Sequence, residues 1–286
     1  EIPGAYYVLV VGETGAGKST LVNTLVNYFR GGSLSCIKVA VPTKFLQSTE
    51  PEAEQSTERS IHDNTESNTV GSVPYVLRKL TNSTDLHKKT FVIVDTPGLA
   101  DTNGVDQDDI NIGTILDAAN RCPSLSAIIL VANGTVARFG NNVKVTLSRL
   151  NGNIPDIALK NIVYVMTNSA TKARSNFNVE GAPFAPKYVC YMNNSAFSSD
   201  PKEWSSHTMR YLVDDWRASM YVVHELMKGI MQMGHIATDQ FAQMKKQRDL
   251  VKFTLHEARC KVEELQVVQN DILDIEAKMR RAKEDQ

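Results

Sequence analysis

Gly12-Glu13-Thr14-Gly15-Ala16-Gly17-Lys18-Ser19-Thr20 is a full G-x-x-x-x-G-K-[ST] match, and its flanks decide how it is read. Val8 to Val11 form an apolar run before it, while Leu21, Val22, Leu25, Val26 and Phe29 recur at helical spacing after it. Strand, loop and helix thus stand in the order that a phosphate cradle requires. The glycines let successive backbone amides turn inward around phosphate oxygens, and the new helix adds its unpaired amides and positive dipole end. All nine residues from Gly12 to Thr20 are expected to enclose the phosphates. Lys18 is expected to reach the β- and γ-phosphates and support their chemistry, and Ser19 to offer its hydroxyl to a bridging magnesium ion.

A second element ends the next buried strand, in Phe91-Val92-Ile93-Val94-Asp95-Thr96-Pro97-Gly98. An apolar strand ending in Asp delivers a carboxylate to the carboxyl edge of a sheet, where ligands of open α/β folds collect. Asp95 is the expected magnesium residue, acting through water. Gly98 permits its amide to approach the γ-phosphate, so this segment senses whether that phosphate is present. Alone, D-x-x-G carries little information; beside the loop at Gly12 it carries much.

Working outward, short β-branched runs alternate with longer mixed segments, the pattern of a mostly parallel sheet between helices. Strands are predicted over Tyr6 to Val11, Thr90 to Asp95, Ser126 to Ala132, Asn161 to Thr167 and Lys187 to Met192, with Ser72 to Leu80 as an antiparallel edge strand. Between Pro42 and Pro74 the chain is rich in Ser, Thr, Glu, Asn and Asp, and reads as a mobile surface loop. Asp200-Pro201 supplies a cap and first-turn proline for a helix predicted to run through Met231, punctuated by Gly229 and Gly234. Beyond them Leu255, Ala258, Val262, Leu265, Val268, Ile272, Ile275 and Met279 recur at steps of three and four, with an irregularity after Leu265. That stripe is either a coiled-coil-like seam or a face packed on its own domain. The expected division is an α/β phosphate-binding domain over 1–232 and a helical, coiled-coil-like extension over 233–286.

Composition removes several classes. The 286 residues carry 31 Lys plus Arg against 32 Asp plus Glu, so net charge gives no reason to expect nucleic acid or an anionic membrane as partner. The longest apolar runs fall far short of the roughly 20 residues that cross a bilayer. Cys36, Cys122, Cys190 and Cys260 stand far apart, which disfavours a zinc site or a disulfide framework and favours a reducing, cytoplasmic setting. The six histidines lack metal-site spacing. Neither a G-x-S-x-G elbow nor a G-x-G-x-x-G dinucleotide fingerprint is present.

Gly12 to Thr20 together with Asp95-Thr96-Pro97-Gly98-Leu99 resembles a P-loop GTPase of the translation-factor-related class, and within it the septin and GIMAP (immunity-associated) branch. Asn193-Asn194-Ser195-Ala196 is similar to the Phe-Asn-Asn segment that such proteins carry near the guanine. The likeness spans residues 5 to 230, strong in the first two motifs and weak elsewhere. It implies a GTP-binding, GTP-hydrolysing domain that uses Mg2+ and often pairs with a second copy of itself, here through the nucleotide face, the helical tail or both.

Three departures follow. Thr167-Asn168-Ser169-Ala170 stands where the resemblance expects a base motif ending in Asp, and that carboxylate is absent. A carboxylate accepts both N1–H and the N2 amino group of guanine, a pairing adenine cannot make. Asn168, Asn193 and Asn194 then either contact the base or cap turns. Leu99 follows Gly98 where many GTPases place a water-orienting Gln, so hydrolysis is expected to be slow or helped from elsewhere. The switch threonine of the magnesium shell is assigned by spacing to Thr69, ahead of Thr65 and Thr57. Arg138, in a stretch similar to the Gly-Arg-Phe of immunity-associated relatives, reads as a residue reaching across a dimer interface or as an ordinary surface arginine. A switch that hydrolyses GTP, a scaffold that holds the nucleotide with little turnover and an unselective NTPase are the competing readings.

Overall fold

The apolar runs become neighbouring strands because each can bury both of its faces. A computed structural model describes residues 2–50, 71–78, 85–99, 105–152, 154 and 156–284. In order they form β1 (Tyr6–Gly12), α1 (Lys18–Arg30), β2 (Val73–Arg78), β3 (Thr90–Asp95), α2 (Val105–Arg121), β4 (Ser124–Leu125), β5 (Ala127–Asn133), α3 (Asn141–Asn151), α4 (Asp156–Leu159), β6 (Ile162–Thr167), β7 (Tyr188–Tyr191), α5 (Ser206–Met233), β8 (Ile236–Ala237) and α6 (Asp239–Glu284). The six-stranded sheet has the order β2-β3-β1-β5-β6-β7. Within this sheet β2 runs antiparallel to β3 and the other pairings are parallel, while β4 and β8 form a separate antiparallel pair.

Alternation along the strands builds a core on each face. Tyr7, Leu9 and Val11 of β1 join Val92, Val94, Ile115, Ala119 and Leu147 on the side of α2 and α3. Val8 and Val10 join Leu21, Leu25 and Phe29 of α1 and Val223, Leu226 and Ile230 of α5 on the other. Each such aliphatic side chain, once buried, contributes about 1.5–3 kcal/mol. Burial on both faces is why these strands read as continuous apolar runs rather than as alternating ones. At the sheet edge β2 does alternate, and Pro74 is tolerated there because an edge strand has a side whose amides face away from the sheet and need no ladder partner.

The stretch after α1 is held more firmly than its composition suggests. Asn23 donates to the Val41 carbonyl at 2.7 Å and accepts from the Ala40 and Val41 amides at 2.9 Å, while Asn27 donates to the Lys38 carbonyl and accepts from the Lys38 amide. The amides of Thr49 and Glu50 both donate to the Val39 carbonyl, and Arg30 pairs with Glu50. Residues 38–41 are therefore pinned to α1, and the stretch 42–50, expected as part of a mobile loop, is tied back at its far end through Thr49 and Glu50. The remainder of that loop, with Thr57, Thr65 and Thr69, lies outside the described residues.

Two local expectations are corrected. Asp200-Pro201 caps a separate one-turn 3-10 segment, Pro201–Glu203, whose second amide donates to Asp200. The long helix starts afresh at Ser206 with Ser205 as its cap, and it runs to Met233. Gly229 does not interrupt that helix; it makes room for Tyr188, whose hydroxyl would lie 2.4 Å from a Cβ there and donates to the Leu226 carbonyl at 3.1 Å. Gly234, with φ of 79°, ends the helix.

The chain divides into two compact units, Glu1–Phe241 and Ala242–Gln286. The second consists of the greater part of α6, a 46-residue helix. Along it Leu255, Val262, Leu265, Val268, Ile272, Ile275 and Met279 are each more than half exposed. Among the described residues no helix is long and apolar enough to cross a membrane.

Candidate nucleotide site at the carboxyl edge of the sheet

The loop between β1 and α1 lies at the carboxyl edge, where its left-handed positions fall on glycines. Gly15 has φ of 76° and Gly17 has φ of 96°, values at which a side chain would be strained. Gly17 is the N-cap of α1, so no side chain caps the first turn, and no acidic residue stands in it. The helix end therefore presents positive potential toward the loop. Lys18 folds back across this loop and donates to the Gly12 carbonyl at 3.1 Å and the Glu13 carbonyl at 3.0 Å. A buried ammonium is held in place by the backbone it spans. Burial pushes the Glu13 carboxyl above its ordinary range, outweighing the Lys18 charge that pulls it down.

Asp95 ends β3 with its carboxylate almost wholly buried, one oxygen accepting the Thr96 amide at 3.1 Å. Thr96 in turn donates its hydroxyl to the Val10 carbonyl at 2.7 Å, tying this turn to β1. The following residues are docked on the phosphate loop. The Thr14 amide donates to the Leu99 carbonyl at 3.1 Å, and the Leu99 amide donates to the Gly12 carbonyl at 3.0 Å. A Cβ at Gly98 would lie 2.1 Å from the Thr14 hydroxyl, so only glycine permits this approach. That hydroxyl is buried without a hydrogen-bond partner among the described residues. Leu99 itself is fully buried in the core beneath α2. Where a water-orienting glutamine was the point of comparison, this position is a packing residue with a structural backbone.

Asn111 of α2 holds the same turn from the other side, donating to the Gly98 carbonyl at 2.9 Å while accepting from Gln107. Thr167, at the end of β6, donates to the Ala16 carbonyl at 2.7 Å. It thereby links the phosphate loop to the segment Asn168-Ser169-Ala170. Neither residue was assigned a role from the sequence. The position of Thr167 just before Asn168 was a usable signal, whereas nothing in the sequence marks Asn111.

The expected base residues gather at the ends of neighbouring strands. Asn168 takes a left-handed conformation with φ of 54° and donates to Asn133 at 3.2 Å. The Ser169 amide donates to the Met192 carbonyl, which brings the loop after β7 alongside. In that loop Asn193 and Ser195 each donate to the same oxygen of Asp215, on α5, at 2.7 Å. Asn194 buries both polar atoms of its amide without partners among the described residues. Arg138 stands exposed between β5 and α3, next to buried Phe139, which packs edge-on against Phe177. Thr69 lies outside the described residues.

A strand, a glycine loop, a buried lysine at a helix start and a carboxylate at the next strand's end define a P-loop nucleotide-binding domain. Residues 7–168 match the family described as 50S ribosome-binding GTPase, and the chain belongs to this family of P-loop GTPases. No curated protein matches it. Among solved structures it is similar to Toc33 from Arabidopsis thaliana in complex with GDP and Mg2+, at 17% identity and a TM-score of 0.41, over 82% of this chain and 88% of that one. Toc33 from Arabidopsis thaliana in complex with Mg2+ and GMPPNP matches at 17% identity and a TM-score of 0.40, over the same shares of each chain. Roco2 of Methanosarcina barkeri bound to GDP matches at 12% identity and a TM-score of 0.39, over 83% of this chain and 52% of that one.

Proposed function

We propose that this chain is a GTP-binding switch that hydrolyses GTP slowly and couples the phosphate state to self-association. The observation that carries it is the docking of Gly98 and Leu99 on Gly12 and Thr14, because a γ-phosphate arriving beside Lys18 must act on that contact. Gly12 to Thr20 enclose the phosphates. Lys18, now on the Gly12 and Glu13 carbonyls, exchanges them for phosphate oxygens, gaining charge-assisted contacts.

The hydroxyl of Ser19 and the carboxylate of Asp95 are an all-oxygen donor pair, which fits magnesium. They are its proposed protein contacts, with Thr69 joining from the switch loop. When bound, the ion neutralises charge that builds on the β- and γ-phosphates. Asp95→Ala is then expected to weaken nucleotide binding more with magnesium than without it.

Asn168, Asn193 and Asn194 are the proposed base contacts. The septin and GIMAP likeness supports pairing through the nucleotide face, with Arg138 reaching toward the second protomer and the α6 stripe as a further seam. Leu99 favours a second reading, a nucleotide-dependent scaffold with little turnover, because its side chain is spent on the core. Ala170, in place of a base carboxylate, keeps an unselective NTPase as an alternative.

Single-turnover GTP hydrolysis over a hundredfold range of protein concentration separates the switch from the scaffold, and competition of ATP against GTP for binding tests the unselective NTPase. Turnover per protomer that rises with concentration supports the dimer-coupled switch. Binding without turnover at any concentration supports the scaffold.

A further inference from the structure

We propose that Asp215 is the acidic residue that gives this site its preference for guanine, and that it acts as a positioning residue through Asn193. The inference rests on the nucleotide-site reading above. The segment Thr167-Asn168-Ser169-Ala170 ends in Ala170, so the loop after β6 carries no carboxylate at the position where the resemblance expects one. Asp215 brings a carboxylate to the adjacent loop from α5, far along the chain from the phosphate motifs.

Amide polarity decides which base Asn193 can match. A free asparagine side chain offers a carbonyl or an amino group to a base with equal ease, because it can turn over. Asn193 cannot: its Nδ2 donates to Asp215 Oδ2 at 2.7 Å, and a carboxylate accepts only. The carbonyl oxygen Oδ1 is thereby turned away from Asp215 as an acceptor. At N1 guanine presents an N–H and is matched by an acceptor, whereas adenine presents a lone pair there and is opposed by one.

The loop is also held rigid. Ser195 donates to the same Asp215 oxygen at 2.7 Å, and Ser219 donates to the Asn193 carbonyl at 3.2 Å. The two bonds to Asp215, from Asn193 and Ser195, end on a carboxylate, which makes them the stronger kind. Asp215 is half-buried, so its replacement leaves the apolar core untouched.

The test is a competition titration of the full chain with GDP and ADP in magnesium, for the wild type, Asp215→Asn, Asn193→Ala and the double variant. An amide at position 215 both donates and accepts, so it lets Asn193 turn over. The GDP-to-ADP affinity ratio is expected to fall about three- to tenfold in Asp215→Asn, mainly through tighter ADP binding, with melting temperature little changed. In the Asn193→Ala background, Asp215→Asn should change the ratio no further. An unchanged ratio in a folded Asp215→Asn protein overturns the proposal while leaving the nucleotide site intact. A further fall in the double variant overturns the route through Asn193. If Asp215→Asn fails to fold, Asp215→Ser, which retains a hydrogen-bonding side chain of smaller size, is read by the same ratio. A wild type that binds neither nucleotide removes the site reading and this proposal together.

Discussion

The amide of Thr14 donates to the carbonyl of Leu99 at 3.1 Å, joining the phosphate loop to the turn after β3 as if by one rung of a parallel ladder. Leu99 returns its own amide to Gly12, and its side chain lies in the core with Val11, Ile112 and Ile115. Position 99 is thus fixed by packing below and by hydrogen bonds above. Replacing a side chain here changes the fold before it changes the chemistry.

Leu99→Gln is therefore expected to lower stability by about 2–4 kcal/mol, since it buries an amide and removes apolar contact, and not to raise turnover. Denaturant unfolding alongside single-turnover hydrolysis checks this. A stable variant with tenfold faster hydrolysis would instead place this side chain beside the attacking water.

Burial raises the Glu13 carboxyl above its ordinary 4.5, with Lys18 opposing. A group with a raised folded-state pKa stabilises the fold fully below its unfolded value, and that contribution is lost as pH rises through the folded value. Glu13→Gln cannot ionise, so its stability relative to the wild type should increase as pH is raised from about 4 to about 7. Urea midpoints of the nucleotide-free proteins measure the difference. A gap that stays constant across this range contradicts it.

Gly229→Ala reverses the ordinary sign of a helix substitution. In an exposed helix interior alanine is better than glycine by about 1 kcal/mol. Here the new methyl meets the Tyr188 hydroxyl and displaces its bond to Leu226. A net loss of about 1–3 kcal/mol is expected by thermal or denaturant unfolding. Gly229→Ala in a Tyr188→Phe background should recover part of it, and no recovery would assign the cost elsewhere.

The sheet was legible because its strands are buried on both faces and so read as uninterrupted apolar runs, from Val8 to Val11 through Ile162 to Thr167. Contacts between distant segments were not. Asp-Pro at 200–201 starts a 3-10 turn as well as it starts an α-helix, and local sequence does not tell them apart. Gly229 resembles a helix breaker until Tyr188 is seen beside it. The same limit applies at the site. Gly12 to Ser19 and Asp95 announce themselves by local motif, whereas Asn111 acts 13 positions from Gly98 and Asp215 acts 22 positions from Asn193. Leu99 reads in the sequence as a missing catalytic group, and only its burial shows what it does.

The most direct measurement is calorimetric titration of the full chain with GDP in magnesium, paired with Lys18→Ala. Lys18 spans carbonyls of its own loop, so its removal should spare the strands and helices and remove the cation that a bound diphosphate needs. Expected is saturable binding of one GDP per chain in the wild type, ADP binding more weakly but by far less than several thousandfold, and loss of tight binding in a folded Lys18→Ala protein. Unchanged affinity in that variant, or no saturable binding by the wild type, would contradict a guanine-nucleotide site at Gly12 to Thr20.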